Sequence, residues 1–307
     1  MGSLIASFML SDLFYGGLRA TGISALARYT HQGGVILCYH NVVADRGSAG
    51  DPGLHLPAAK FDRQMRWLEN RYHVISLAEV VSRIRQNRSL RGTAAITFDD
   101  GYAGVFEHAW PILRAGRLPA TVFIPTAQPD DDYEGFWWDH PLIVRDATAA
   151  GRRTQLADLA GDSARIASRV LHWAPSGLPA SHRRAGWATI ARAAVEGLDI
   201  GVHSVTHRNL TRLPEDELER EVIASRMALF ERTGARATTF SYPYGLVNAR
   251  VREAVRAAGY GAAVTLSYGL NTSATDPLML RRVNIPASIA SPAYEAWASG
   301  LRPRWRA

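Results

Sequence analysis

Three short clusters in this sequence carry residue types that could do chemistry. The first is an apolar run that ends at Phe98 and is followed by Asp99, Asp100 and Gly101. Neighbouring side chains at a strand tip point apart, so one carboxylate can bind a cation while the other stays free to move a proton. Read alone, the same triplet is equally a turn. The second cluster is His203 and His207, four residues apart and directly after the apolar run 199–202. On one face of a helical turn, two imidazoles can hold one metal ion. With one carboxylate they make the three-ligand set of a catalytic zinc, whereas magnesium would want oxygen ligands. The third cluster runs Ser241, Tyr242, Pro243, Tyr244, Gly245. Proline fixes the backbone and glycine permits a tight turn, so backbone N–H groups can be aimed into a cavity. By itself it reads as a strand-to-helix turn.

The elements that must position these clusters are short apolar strands alternating with amphipathic helices. Strands are expected over 35–39, 94–98, 120–124, 199–202, 238–241, 262–266 and 279–285. Helices are expected around 61–70, 77–86, 105–115, 214–232 and 248–258, the fourth opened by Pro214 with Glu215, Asp216 and Glu217 in its first turn. Such alternation predicts an α/β fold with a parallel sheet, and seven strands make a closed or nearly closed barrel. Chemistry then belongs at the carboxyl ends of the strands, where all three clusters fall. Residues 126–185 break the rhythm with an acidic run after Pro129, the cluster Phe136, Trp137, Trp138, Asp139, His140, and Arg- and Ala-rich helical sequence. They read as a mostly helical insertion, with Trp137 and Trp138 either walling the substrate cleft or forming the insertion's own core. The expected division is an N-terminal helical appendage (1–32), a barrel domain (33–290) and a C-terminal tail (291–307).

Composition narrows the class further. The chain has 307 residues, 47% hydrophobic and 21% charged, which is ordinary for a globular protein. The formal net charge is +7, yet Lys60 is the single lysine and the arginines are scattered rather than blocked, which argues against nucleic-acid binding. The lone cysteine, Cys38, lies in an apolar run and reads as a small core residue. No window is long and apolar enough to span a membrane. The first residues lack the basic region and unbroken apolar core of a secretory signal, so a cytoplasmic location is expected. Residues 4–29 carry a weak amphipathic pattern that could rest on a membrane surface, or pack on the domain.

Taken together and in this order, the clusters resemble those of the polysaccharide deacetylases of carbohydrate esterase family 4, the NodB-homology group. The resemblance runs from about Val35 to Ile285. It rests on Thr97 to Gly101, on His203-Ser204 with His207, on Tyr242 to Gly245, on Cys38-Tyr39-His40 and on Pro119 to Phe123. It implies a distorted (β/α) barrel with about seven strands and a metal-dependent hydrolase that removes an N-acetyl group from an N-acetylhexosamine unit of a poly- or oligosaccharide. It also implies Asp100, His203 and His207 as ligands of a divalent metal, zinc first and cobalt second, with Asp99 as general base and the backbone N–H of Tyr244 in the oxyanion site. Two departures stand out. Ser241 or Tyr242 occupies the place of the arginine that orients the base, and no Leu-x-His occurs near the C-terminus to supply the family's acid. His40 is the substitute expected for that acid, with Arg282, His55 and His140 as contributors to substrate binding. Two other readings are a deacylase of a lipid-linked or nucleotide-derived acylamino sugar and a weakened glycan-binding protein that keeps the metal.

Overall fold

The computed structural model describes residues 13–45, 47, 49–127, 135–145, 148–169 and 177–301. Residues 4–12 of the expected appendage, the acidic run after Pro129 and residues 302–307 lie outside the described residues. The strands are β1 (Val35–Tyr39), β2 (Asn41–Val43), β3 (His55–Pro57), β4 (His73–Val74), β5 (Thr93–Phe98), β6 (Ala120–Ile124), β7 (Asp199–Val202), β8 (Thr239–Ser241), β9 (Ala262–Val264) and β10 (Val283–Asn284). Among the described residues one path of seven runs β10-β1-β5-β6-β7-β8-β9, every neighbouring pair parallel. Strand β4 pairs with the first two residues of β5, just before β6 takes over at Ile96. The ring is drawn together at its open side, where Val264 bridges Leu280 and the Thr265 amide donates to the Leu280 carbonyl at 2.8 Å. The result is the expected distorted barrel.

Parallel strands covered on both faces must be apolar throughout, which is why β1, β5 and β6 are buried at every position. Close approach of β6 and β7 depends on Gly201, where a Cβ would lie 2.4 Å from the Phe123 ring. Helices connect the strands outside. Glu215–Thr233 starts after Pro214, carries acids in its first turn and stops at Gly234 with φ 70°, a left-handed cap that glycine tolerates best. The single helix expected over 105–115 is instead a π-helical turn, Val105–Ala109, running into an α-helix, Trp110–Ala115. Pro111 has no N–H to give the regular ladder, and the wider turn absorbs the break. In the insertion, the described residues form short helices, including Pro141–Arg145, Ala149–Arg153 and Ser163–Ala167.

Candidate active site

Four strand ends converge on a cavity of about 230 Å³ lined by His40, Asp99, Asp100, Trp138, His203, His207 and Tyr244, among others. Strand β5 delivers the two aspartates, β7 the histidines, β8 the Tyr244 turn and β1 His40. The backbone is forced into unusual shapes to do so. Of seven non-glycine residues with left-handed φ among the described residues, four lie here: Asp100 (75°), Ser204 (64°), His207 (61°) and Tyr244 (58°). Such conformations persist where surrounding structure over-determines them, and they gather at sites of function.

The histidine pair does not lie on a helical turn, contrary to its spacing. Residues 203–207 form a loop in which Ser204 and His207 turn left-handed, and the His207 amide donates to Ser204 Oγ at 3.0 Å. That fold-back sets the two Nε2 atoms 3.1 Å apart. Asp100 Oδ1 lies 3.2 Å from His207 Nε2 and 3.6 Å from His203 Nε2. Ligand atoms around a tetrahedral ion with bonds near 2.0–2.1 Å are separated by about 3.3 Å, so this triangle fits one face of such a shell. His203 Nδ1 lies 2.7 Å from the Ser241 carbonyl, which fixes its proton there and leaves Nε2 with a free lone pair. Burial pushes both imidazoles down to about 4, despite the nearby Asp99, so both are neutral near pH 7. Burial raises the Asp100 carboxyl to about 6, although His40 and His203 pull it down.

The neighbouring Asp99 has the opposite environment. Burial alone would raise its pKa, but the Arg282 guanidinium and then His203 hold it well below the usual carboxylate range. Arg282 is fully buried and grips both oxygens, Nη1 to Oδ1 at 2.8 Å and Nη2 to Oδ2 at 2.6 Å. Ser241 Oγ donates to Asp99 Oδ1 at 3.1 Å and accepts from Arg282 Nη2 at 3.0 Å. Arg282, expected as a contributor to substrate binding, is instead buried against Asp99. It lies just before β10 and holds the Asp99 carboxylate in one orientation through the paired contact. His40 is half-buried on the same wall, with a ring nitrogen within 4.8 Å of the Asp99 carboxylate and Cys38 Sγ. Burial lowers its pKa, against the pull of Asp100 and Asp99.

Three other expectations need correcting. His55 and His140 are buried and do not line this cavity. His55 lies 2.9 Å from Asp139 Oδ1, while Tyr102 donates to Asp139 Oδ2 at 2.6 Å and Trp138 Nε1 donates to Tyr102 at 2.8 Å. This chain of bonds pins the insertion to the barrel. The two tryptophans are not exposed aromatics, being 2% and 4% accessible; Trp138 reaches the cavity, its ring 4.8 Å from that of His207, and Trp137 does not. Tyr244 packs edge-on to His207 at 4.5 Å and is crowded by Gly161, where a Cβ would meet its hydroxyl at 2.7 Å.

Glu221 is a residue the sequence reasoning missed. Buried on the inner face of Glu215–Thr233, it accepts from the Val205 and Thr206 amides at 2.9 Å each and from the Thr206 hydroxyl, holding the histidine loop. Its signal was available, since Leu218, Val222, Ser225 and Leu229 mark a buried face on which a carboxylate is out of place. Asp51 and Arg152, paired at 2.6 Å on the cavity wall, gave none.

Residues 86–263, more than half of the chain, match the family model described as polysaccharide deacetylase. The chain is 28% identical over 263 residues to the poly-beta-1,6-N-acetyl-D-glucosamine N-deacetylase of Escherichia coli K12, a match covering 81% of this chain and about a third (36%) of that protein. Its fold is repeated in IcaB from Ammonifex degensii, with a TM-score of 0.63 at 19% identity over 88% of this chain and 98% of that one. The Streptococcus pyogenes deacetylase PplD is similar, with a TM-score of 0.61 at 17% identity over 88% and 99%. Clusters at strand ends, barrel and family match agree: the chain belongs to the polysaccharide deacetylase family.

Proposed function

We propose that the protein is a metal-dependent hydrolase that removes N-acetyl groups from N-acetylhexosamine units of a poly- or oligosaccharide. One observation carries the reading: two adjacent carboxylates are held in opposite environments, Asp100 in a triangle with two neutral imidazoles and Asp99 locked to Arg282. Asp100, His203 and His207 would hold the ion, and their nitrogen-rich set with an open side suits zinc, or cobalt, better than magnesium. Such an ion, when bound, supplies a Lewis acid and a more acidic water, which a carboxylate as weakly basic as Asp99 needs.

The remaining steps belong to the chain. Asp99 is ionised throughout the working pH range and accepts the proton of the attacking water. Arg282 and Ser241 keep its carboxylate in one orientation while it does so. The Tyr244 backbone N–H stabilises the developing oxyanion. His40, neutral at rest and on the same wall as Asp99, takes up that proton and passes it to the departing sugar amine, which leaves both groups as they began. Trp138, which lines the cavity, supplies apolar contact to the sugar. The similarity to the E. coli poly-beta-1,6-N-acetyl-D-glucosamine N-deacetylase supports the substrate class. A glycan-binding protein with weakened catalysis would not need both carboxylates so placed.

The test is mass spectrometry of a panel of N-acetylated glucosamine oligomers, together with lipid-linked and nucleotide-linked acylamino sugars, incubated with zinc- or cobalt-loaded protein. Loss of one acetyl mass from the oligomers is expected. Turnover of the lipid- or nucleotide-linked sugars alone would replace the substrate, and binding without mass change would replace the reaction.

A further inference from the structure

Half of the large apolar side chains left in water among the described residues lie at one place on this molecule. Of the ten large hydrophobic residues that are exposed among the described residues, five fall between positions 13 and 29: Leu13 (72%), Phe14 (44%), Ile23 (44%), Leu26 (62%) and Tyr29 (64%). They belong to a helix over 13–20 and to Ile23–Thr30. Their arrangement inverts the usual one. Ile23–Thr30 turns Ser24 and Ala27 inward and presents Ile23, Leu26 and Tyr29 outward. The pair is nevertheless firmly attached, since Trp297 Nε1 donates to the buried Tyr15 hydroxyl at 2.7 Å and Arg91 donates to the Tyr29 carbonyl. An apolar face on a fastened helix pair is a surface built for contact.

Charge indicates what it contacts. No acidic residue occurs from 13 to 30, whereas Arg28 does, as does Arg19, which pairs with Glu295 at 3.6 Å. The Arg28 guanidinium lies over the Tyr29 and Trp67 rings, and Arg71 lies over Trp67 from the adjoining helix Ala58–Glu69. The patch is thus apolar with a guanidinium rim. A second copy docked face to face would set these rims against each other. An anionic lipid surface complements both features, taking the apolar side chains among its acyl chains and the guanidiniums at its phosphates.

We propose that this helix pair docks the protein on an anionic phospholipid surface, with the active-site cavity directed away from it. The orientation follows from topology. Ile23–Thr30 leads into the amino end of β1, and Arg91 stands just before the amino end of β5, whereas the catalytic clusters follow the carboxyl ends of β5, β7 and β8. A five-residue strand of about 17 Å separates the two ends. No helix among the described residues is long and apolar enough to cross a membrane. Docking stands without the deacetylase reading, whereas the meaning of the orientation rests on it: the enzyme would work on glycan in the surrounding medium rather than on a lipid headgroup beneath it.

The experiment is flotation of the full-length, zinc-loaded protein with vesicles of phosphatidylcholine alone or with about a third phosphatidylglycerol. Binding is expected to the mixed vesicles, weaker to the neutral ones and reduced by salt. Leu26→Asp, at a site too exposed to affect folding, should weaken it about tenfold or more. Met227→Asp, on the separate exposed stripe of Ile223, Met227 and Phe230, should leave it unchanged. Equal flotation of wild type and Leu26→Asp would overturn the proposal. So would a concentration-dependent dimer without vesicles that Leu26→Asp abolishes, or a lower melting temperature for Leu26→Asp with no flotation of either protein. Hydrolysis of a soluble N-acetylglucosamine oligomer should be the same with and without vesicles, and inhibition by them would overturn the orientation. Flotation with no hydrolysis at all would instead remove the deacetylase reading and leave docking standing.

Discussion

At the scale of single residues, two chemically identical side chains one position apart are made different by what surrounds them. Arg282 is the main cause. Arg282→Lys keeps the charge but loses the fork that grips both Asp99 oxygens, and it is expected to lower kcat by about 10–100-fold with metal content unchanged. Arg282→Gln removes the charge, so the Asp99 pKa rises and the acid limb of the rate profile moves to higher pH. It should also cost about 3–5 kcal/mol of stability, because the Asp99 carboxylate is left buried without its partner. A rate profile that does not move in Arg282→Gln would mean that Asp99 is not the titrating base. The metal ligands make a separate pH prediction. Since burial raises Asp100 to about 6 in the metal-free protein, a proton competes for that ligand as pH falls through this value. Zinc affinity should therefore fall by up to about tenfold between pH 6 and pH 5 and gain little from this group above about pH 7. Affinity independent of pH across that range would contradict the ligand set. The sequence showed these four residues because strand-end aspartates and paired histidines are local patterns. It could not show Arg282 in its role, since 183 positions separate it from Asp99.

At the scale of elements, the question is what holds the cavity wall. Trp138 faces the cavity from a segment tied to β5 through Tyr102 and Asp139, whereas Trp137 packs inside the insertion. Trp137→Ala should therefore lower the melting temperature, by the equivalent of about 3–5 kcal/mol, with KM little changed in the folded fraction. Trp138→Phe keeps most of the packing and should raise KM severalfold with kcat nearly intact. The opposite assignment of these two effects would reverse the roles of the tryptophans. Long parallel strands were legible as apolar runs because both of their faces are covered. Strands β2, β3 and β4, two or three residues each, are too short to leave a periodic trace. The π-turn at 105–109 escaped because the apolar pattern of 105–115 is helical throughout, and only Pro111 marks the break. The left-handed turns at Ser204 and His207 were hidden by a spacing that a helix would equally produce.

At the scale of the whole molecule, the site exists because the barrel curls far enough to bring the start of β10 beside β1 and behind β5. Leu280 meets β9, Val283 meets β1, and the arginine between them is thereby placed under Asp99. Strand count and barrel were readable from the alternation of elements; the closure that delivers Arg282 to the site was not, because it depends on contacts between chain segments far apart. The account's central claim is that this closure separates the two aspartates into a ligand and a base. Metal content and turnover of purified Asp100→Ala and Asp99→Asn decide it, each measured on the folded fraction because Asp99→Asn leaves Arg282 buried without its counter-charge. Asp100→Ala should lose both metal and activity. Asp99→Asn should retain close to one metal per chain while kcat falls by about 10²–10⁴-fold. Equal loss of metal from both variants, or full retention by Asp100→Ala, would contradict the account.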